Sequence, residues 1–189
     1  MTSYLLWGDI MPTIYLSPST QEFNPYVDGG NEEFYMNLIA DAMEPYLYAS
    51  GIEFTRNTPQ MTAASSIAAS NAGTYDFHLA LHSNASGDGN GKVRGSEVYY
   101  YPTSVNGKRA AEIFANNLQM IYPIPGGVRT IATTSIGEVR RTKAPAVLIE
   151  FAYHDNPEDA AWIRENINAI AQNVVLSLCD YFGIPFQMP

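Results

Sequence analysis

Two ionisable side chains in this sequence stand at the ends of apolar stretches. His82 closes the run 77–82, FHLALH, just before a polar loop, and Glu150 closes the run 146–150, AVLIE. An imidazole at a strand end can bind a metal ion or accept a proton, or it can simply be a hydrogen-bonded polar residue. A carboxylate beside so many apolar residues needs a cation or metal as its partner, or serves as an acid–base group with a perturbed pKa.

A third candidate, Glu33, lies where a helix is predicted to begin. Asn31 is typical of an N-cap residue, acidic residues follow it, and apolar residues then recur at helical spacing until Gly51. Acidic side chains are common in a first turn because they interact favourably with the helix dipole. The local pattern therefore leaves Glu33 open between a helix-dipole carboxylate and a residue of a site.

The elements that would position these residues are strands that alternate with helices of crossover length. Strands are predicted at 13–16, 52–55, 75–82, 96–101, 128–133, near Val139 and at 145–151, and helices at 32–50, 61–72, 108–121 and 159–182. This alternation predicts an α/β fold, a single-domain three-layer sandwich with a mostly parallel central sheet flanked by helices. The carboxyl ends of such strands share one edge of the sheet, where sites are found. We predict an N-terminal tail over 1–12 and one domain over 13–189.

The composition argues against several classes of partner. The net charge is −9, and the ten Lys and Arg residues are too few for nucleic acid or an anionic membrane surface to be the main partner. No window approaches the length of a membrane span, and the first residues lack the pattern of an export signal. Cys179 has no second cysteine to pair with, so no internal disulfide is expected. The oligomeric state is not indicated by the sequence.

Four segments, in their order along the chain, resemble the zinc-dependent N-acetylmuramoyl-L-alanine amidases of the amidase-3 type. They are EFYMNL at 33–38 with Thr55-Arg56 after the next strand, the strand and loop 76–85, GSEVYY at 95–100, and APAVLIE at 144–150 with Asn156 behind it. The resemblance covers 14–182. It implies hydrolysis of the amide bond between N-acetylmuramic acid and L-alanine in peptidoglycan by a metal-activated water.

The same resemblance assigns roles to individual residues. It implies that Glu33 and His82 are zinc ligands and that Glu150 takes the proton of the attacking water. It further implies a secreted or cell-wall-associated protein whose partner is the muramoyl-peptide of peptidoglycan. Residues that bind the substrate are not identified by it.

The chain departs from this family at the end of its first strand. The family has Asp-Pro-Gly-His-Gly there, with the histidine as the first zinc ligand, whereas this chain has SPSTQ at 17–21. Thr20 therefore stands in the place of that histidine. A hydroxyl is a poor substitute, because zinc normally takes His, Cys or carboxylate ligands. We predict that zinc is held differently here, or is bound weakly or not at all.

Two other histidines could supply the missing ligand. His78 lies four residues before His82 on the same strand face, about 13 Å away, which is too far to share one zinc ion. His154 follows Glu150 in a loop that can fold back over the strand end, and it is our first candidate for the third ligand, against an exposed loop histidine. Glu22 is a further candidate, which the sequence does not rank against His154.

Two functions stay open on the sequence alone. The first is a metal-dependent N-acetylmuramoyl-L-alanine amidase, which the retained Glu33, His82 and Glu150 favour. The second is a non-catalytic peptidoglycan-binding or regulatory domain that kept the amidase fold and lost its metal, which Thr20 favours. The metal content of the purified protein would distinguish the two.

Overall fold

The computed structural model describes residues 11–189. Of the predicted N-terminal tail, residues 1–10 therefore lie outside the described residues, and the first strand begins at Thr13. Within the described range, no helix is long and apolar enough to cross a membrane.

Strands and helices alternate along the chain and build one mixed sheet. The strands are β1 (Thr13–Pro18), β2 (Glu53–Arg56), β3 (Phe77–Asn84), β4 (Ser96–Tyr100), β5 (Val128–Ala132) and β6 (Ala146–Tyr153). The helices are α1 (Glu32–Ala49), α2 (Ala63–Ala72), α3 (Val105–Gln119), α4 (Gly137–Arg140), α5 (Pro157–Glu165) and α6 (Ile167–Phe182). The strand order is β2-β1-β3-β6-β4-β5, and every neighbouring pair is parallel except β6 and β4. The predicted α/β fold with a mostly parallel sheet is confirmed.

The two central strands, β3 and β6, are covered on both faces. On one face Leu79, Leu81 and Val147 belong to the main core, which they share with α1, α3 and α6. On the other face Ala80 and Leu148 belong to a smaller apolar cluster with residues of α4, and α2 packs beside α4. Strands buried on both faces read as nearly continuous apolar runs, which is why β3 and β6 were recognisable in the sequence.

Two parts of the chain differ from the predicted elements. The predicted strand near Val139 was wrong, because this segment is the single helical turn α4. A strand would turn Glu138 and Val139 to opposite sides, whereas the helical turn buries both. The predicted helix 159–182 is divided at Asn166 into α5 and α6, and Asn156 caps the start of α5.

The start of α1 is fixed by a side-chain cap at the edge of the sheet where β1 and β3 end. The side chain of Asn31 accepts a hydrogen bond from the backbone N–H of Phe34 at 2.8 Å, as predicted for an N-cap residue. Glu32 is therefore the first residue of α1, and it is almost fully buried. By fixing where α1 begins, this cap determines which of the two acidic residues of the first turn, Glu32 or Glu33, faces the sheet.

Candidate active site

Three ionisable residues lie in a row across the central strands. His82 of β3 is the register partner of Glu150 on β6, and Glu150 is the register partner of Glu97 on β4. Register partners on neighbouring strands project from the same face of a sheet. The structure thus brings the two residues that the sequence singled out, His82 and Glu150, side by side.

Both ring nitrogens of His82 are engaged by carboxylates. Nδ1 lies 2.8 Å from Glu32 Oε1, and Nε2 lies 3.2 Å from Glu138 Oε2. Burial alone would lower the pKa of His82, but its hydrogen bonds to Glu138 and Glu32 raise the pKa well above its ordinary value. The two flanking carboxylates therefore favour the charged form of the imidazole.

Glu32, and not its neighbour Glu33, contacts His82. Glu32 Oε2 accepts a hydrogen bond of 2.7 Å from Asn24 Nδ2, while its other oxygen faces the imidazole. Burial would raise the pKa of Glu32, but the hydrogen bond and charge of His82 lower it. Within the described residues, no hydrogen bond joins the Glu33 side chain to His82. Successive helical residues are turned by about 100°, so the two carboxylates of one first turn cannot face the same way.

Glu138 is a second carboxylate at His82 that the sequence did not reveal. It comes from α4 and is almost fully buried. Its Oε1 accepts a hydrogen bond of 2.5 Å from Ser17 Oγ and lies 3.3 Å from His78 Nε2. Burial would raise the pKa of Glu138, but hydrogen bonds from His78 and His82 hold it well below the usual range. The sequence analysis did not identify Glu138 as a site residue, because its segment matches no motif and was predicted to be a short strand near Val139.

Glu150 differs from the other carboxylates in lacking a partner. Its Oε2 is buried and accepts no hydrogen bond from any described residue. Burial raises the pKa of Glu150 to about 8, because the opposing charge of His82 is offset by the nearby carboxylates of Glu32, Glu97 and Glu138. A group with a pKa near neutrality can both accept and return a proton.

Glu97, at the end of the same row, is a paired carboxylate. Its Oε1 accepts a hydrogen bond of 2.6 Å from Arg129 Nη2, and its Oε2 accepts one of 3.2 Å from Asn84 Nδ2. The guanidinium of Arg129 neutralises it at the side of the row away from His82. Within residues 11–189, Glu150 has no comparable cationic partner apart from its neighbour His82.

His154, predicted as the third metal ligand, contacts the end of β3. Its Nδ1 donates to the carbonyl oxygen of Ser83 at 2.9 Å and lies 3.0 Å from Ser83 Oγ. Its ring stacks on Tyr26, with ring centroids 5.2 Å apart, and the residue is buried. Across residues 11–189, no three His, Cys, Asp or Glu side chains converge so that they could hold a metal ion. The structure does not bring Glu33, His82 and His154 together as such a group.

A cleft of about 770 Å³ opens beside His82 and Glu138. Its walls come from the end of β1, the loop that follows it, the first turn of α1 and the segment before α2, and they include Thr20, Gln21, Glu22, Phe23, Glu33 and Met61. Concave sites with a few polar and ionisable groups are the usual places where small ligands bind. The cleft therefore gives a ligand access to His82 and Glu138.

The sequence of the chain matches a known protein family over most of its length. The Amidase_3 family, N-acetylmuramoyl-L-alanine amidase, matches residues 21–180. The chain belongs to this family, and its members are hydrolases that act on peptidoglycan. The match begins after Thr20, so the replacement of the family's first histidine stays a prediction. No curated protein matches the chain significantly in sequence.

Solved structures of amidases share the fold. The amidase AmiC2 of Nostoc punctiforme has a TM-score of 0.79 at 19% identity, over 93% of this chain and 99% of that one. The catalytic domain of CwlV from Paenibacillus polymyxa var. colistinus has a TM-score of 0.80 at 17% identity, over 93% and 100%. An amidase from Clostridium difficile 630 has a TM-score of 0.79 at 16% identity, over 91% and 97%. At these identities the likeness establishes the fold.

The side chains around His82 are of the types that zinc binds, but no three of them converge on one point within residues 11–189. The Amidase_3 family is generally zinc-dependent, and zinc takes imidazole and carboxylate ligands. Here the imidazole of His82 contacts the carboxylates of Glu32 and Glu138, and the neighbouring Glu150 has a buried oxygen without a partner among the described residues. Glu32 and His82 are the adjacent pair of donors that fits the group.

Proposed function

We propose that this chain hydrolyses the amide bond between N-acetylmuramic acid and L-alanine in peptidoglycan. The observation that carries the proposal is that Glu150 is the register partner of His82 on the neighbouring strand. Glu150 has a buried oxygen without a hydrogen-bond partner among the described residues and a pKa of about 8, and both features suit proton transfer. Membership of the amidase family supports the class of reaction and does not favour a non-catalytic binding domain.

Glu150 is the acid–base residue in this proposal. As a carboxylate it takes the proton of the water that attacks the amide carbonyl, and it then returns a proton to the departing amine of L-alanine. Its pKa near neutrality allows both steps without a large energetic cost. The apolar strand on which it lies keeps its position fixed beside His82.

Glu32 and His82 are the residues that would hold zinc. Glu32 takes the role that the resemblance gave to Glu33, because its carboxylate is the one that contacts the imidazole. When bound at such a site, zinc acts as a Lewis acid that polarises water and the substrate carbonyl. The third donor stays a prediction, and His154 would have to leave Ser83 to become it.

Because peptidoglycan is the material of the cell wall, a protein that hydrolyses it would act there. We therefore propose a secreted or cell-wall-associated protein, with the muramoyl-peptide of peptidoglycan entering the cleft beside His82. This is supported by the family, whose members act on peptidoglycan.

The test is hydrolysis of purified cell wall by the wild type and by Glu150→Gln. The variant keeps the side-chain shape but cannot accept the proton, so release of L-alanine-headed peptides should fall by roughly 10²-fold or more. Glu112→Gln, at an exposed carboxylate of α3, is the matched control and should retain full activity. A Glu150→Gln protein that cleaves at the wild-type rate would refute the role of Glu150. A wild type without activity after zinc is supplied would refute the function.

A further inference from the structure

We propose that Phe23 is a substrate-binding residue, whose exposed ring packs against a sugar ring of the glycan strand in the cleft beside His82. This inference rests on the proposed function and names the half of the muramoyl-peptide that the cleft takes. Phe23 lies outside the four segments that resemble the amidases, and its role is inferred from its position and from the residues around the cleft.

Phe23 lies in a tight turn that is held at both ends. The backbone N–H of Asn24 donates to the carbonyl oxygen of Gln21 at 3.2 Å, so Glu22 and Phe23 are the two central residues of a four-residue turn. The side-chain amide of Asn24 donates to Gln21 Oε1 at 3.2 Å and to Glu32 Oε2 at 2.7 Å. Because the residues on both sides of the turn are fixed by these hydrogen bonds, the ring of Phe23 is presented to the cleft by a well-held support.

The ring of Phe23 is exposed although it is apolar. Phe23 is 69% exposed, and it belongs to neither of the two apolar clusters that residues 11–189 form. It lines the same cleft as His82. A ligand that covers this ring removes apolar surface from water, which favours binding. The exposed ring is therefore a ready contact for a ligand with an apolar face.

The charge of the cleft indicates which half of the substrate lies there. Its walls carry the carboxylates of Glu22, Glu33 and Glu138, and none of its lining residues within 11–189 is a lysine or an arginine. The imidazole of His82 is paired with carboxylates of Glu32 and Glu138. Such a cleft disfavours an anionic ligand.

The two halves of the substrate differ in charge. The stem peptide ends in a carboxylate. The sugars of the glycan strand are uncharged as long as the lactyl group of N-acetylmuramic acid is bound to L-alanine in the amide. The negative cleft is therefore complementary to the glycan half and not to the peptide end.

The uncharged polar side chains of the cleft suit the hydroxyl and acetamido groups of a sugar. The cleft is lined by Thr20, Gln21, Gln60 and Thr62, each of which can both donate and accept hydrogen bonds. A pyranose ring has C–H groups on its faces and polar groups around its edge. A flat aromatic ring with a few hydrogen-bonding side chains around it matches both features. The combination of Phe23 with these residues therefore favours an uncharged sugar.

The direct test is NMR of protein with isotope-labelled phenylalanine, titrated with a linear tetramer of N-acetylglucosamine. This probe has uncharged pyranose rings like those of the glycan strand and carries no peptide. The ring signals of Phe23, identified by their loss in Phe23→Leu, should shift as the tetramer is added. The signals of Phe114, which is buried in the main core, should stay in place.

The same titration with the free stem peptide that begins with L-alanine is the comparison. It should leave the Phe23 signals in place, because the peptide end lies elsewhere. A tetramer that does not shift the Phe23 signals would overturn the proposal, and so would a stem peptide that shifts them.

Hydrolysis kinetics on soluble muramoyl-peptides with an attached glycan chain give the second measurement. Phe23→Ala should raise KM by about 3- to 10-fold and leave kcat nearly unchanged, because it removes a contact made equally in the ground state and the transition state. Phe23→Trp keeps a flat apolar ring and should have a KM close to that of the wild type.

Tyr48→Ala is the matched control for these kinetics. Tyr48 is an aromatic residue of α1 that is also 69% exposed, and it does not line the cleft. Its replacement should leave KM at the wild-type value. Equal KM values for Phe23→Ala and Tyr48→Ala would refute the role of Phe23.

These outcomes are separable from those of the proposed function. A tetramer that binds at Phe23 in a protein that leaves cell wall intact would support the sugar site and refute the hydrolysis. Cleavage of cell wall by a wild type whose Phe23 signals do not respond to the tetramer would refute the sugar site and support the hydrolysis.

Discussion

His82 and Glu150 are register partners on the adjacent parallel strands β3 and β6, so an imidazole and a carboxylate lie side by side on one face of the sheet. The imidazole is paired on both nitrogens, while the carboxylate has a buried oxygen to which no residue of 11–189 donates a hydrogen bond. This contrast gives the two residues different chemistry, because the first is fixed by its contacts and the second is free to exchange a proton.

The first prediction concerns the pH dependence of stability in chelator-treated protein. The pKa of Glu150 is about 8 in the fold against an ordinary value of 4.5, so between these values the folded chain holds a proton that the unfolded chain has lost. The free energy of unfolding should therefore fall as pH rises from about 5 to 8. His82 acts in the same direction above its ordinary pKa of 6.5, because its pKa in the fold is raised.

Urea denaturation at several pH values checks this expectation. Glu150→Gln removes the bound proton, so its free energy of unfolding should depend less steeply on pH than that of the wild type. Glu112→Gln should keep the wild-type slope. Equal slopes in Glu150→Gln and the wild type would mean that Glu150 is ionised in the fold.

A second prediction separates the two acidic residues at the start of α1. Glu32→Gln should weaken zinc binding strongly, because it removes the carboxylate that contacts His82 and is proposed to bind the ion. Loss of a group that only hydrogen-bonds to a metal ligand costs roughly 10- to 100-fold in affinity, and Glu32→Gln should cost more than that. Glu33→Gln should have a much smaller effect, since among the described residues no hydrogen bond joins the Glu33 side chain to His82. Zinc titration of both variants is the measurement, and the reverse order of effects would reassign the ligand to Glu33.

A third prediction addresses Thr20. Thr20→His should raise zinc affinity, because it returns an imidazole to the cleft wall beside His82. Gln60→His, elsewhere on the same wall, is the matched control and should change affinity little. If His154 serves as the third ligand, His154→Ala should weaken zinc binding strongly in the wild type and much less in the Thr20→His protein. Equal zinc affinity of the wild type and His154→Ala would exclude His154.

A fourth prediction links the cap of α1 to the site. Asn31→Ala removes the side chain that accepts from Phe34 N–H, and it should cost about 1 kcal/mol of stability. It should also weaken zinc binding, since the cap places Glu32 against His82. Ser104→Ala removes the cap of α3, whose side chain accepts from Gly107 N–H, and is the control. It should cost similar stability but leave zinc affinity unchanged, and a parallel loss of affinity in both variants would break the proposed link.

Much of the fold could be predicted from the sequence, because the patterns that identify its longer strands and helices lie within single segments of the chain. The runs that became β3 and β6 are rich in apolar residues and buried on both faces, and the caps Asn31 and Asn156 mark helix starts by residue type. The single turn α4 was missed, since four residues carry too little periodicity to separate a helix from a strand.

The arrangement of the candidate site could be predicted only in part from local sequence patterns. The sequence by itself predicted that His82 and Glu150 end buried parallel strands, and both lie near the carboxyl ends of β3 and β6, which continue to Asn84 and Tyr153. Parallel strands in one sheet bring these ends to a common edge. Only the tertiary structure decided that Glu32 rather than Glu33 meets the imidazole, that His154 contacts Ser83, and that Glu138 comes from a distant helical turn to hold His82. The direction of a side chain depends on the register of its helix and on the elements packed against it, and both are set by contacts between residues far apart in the chain.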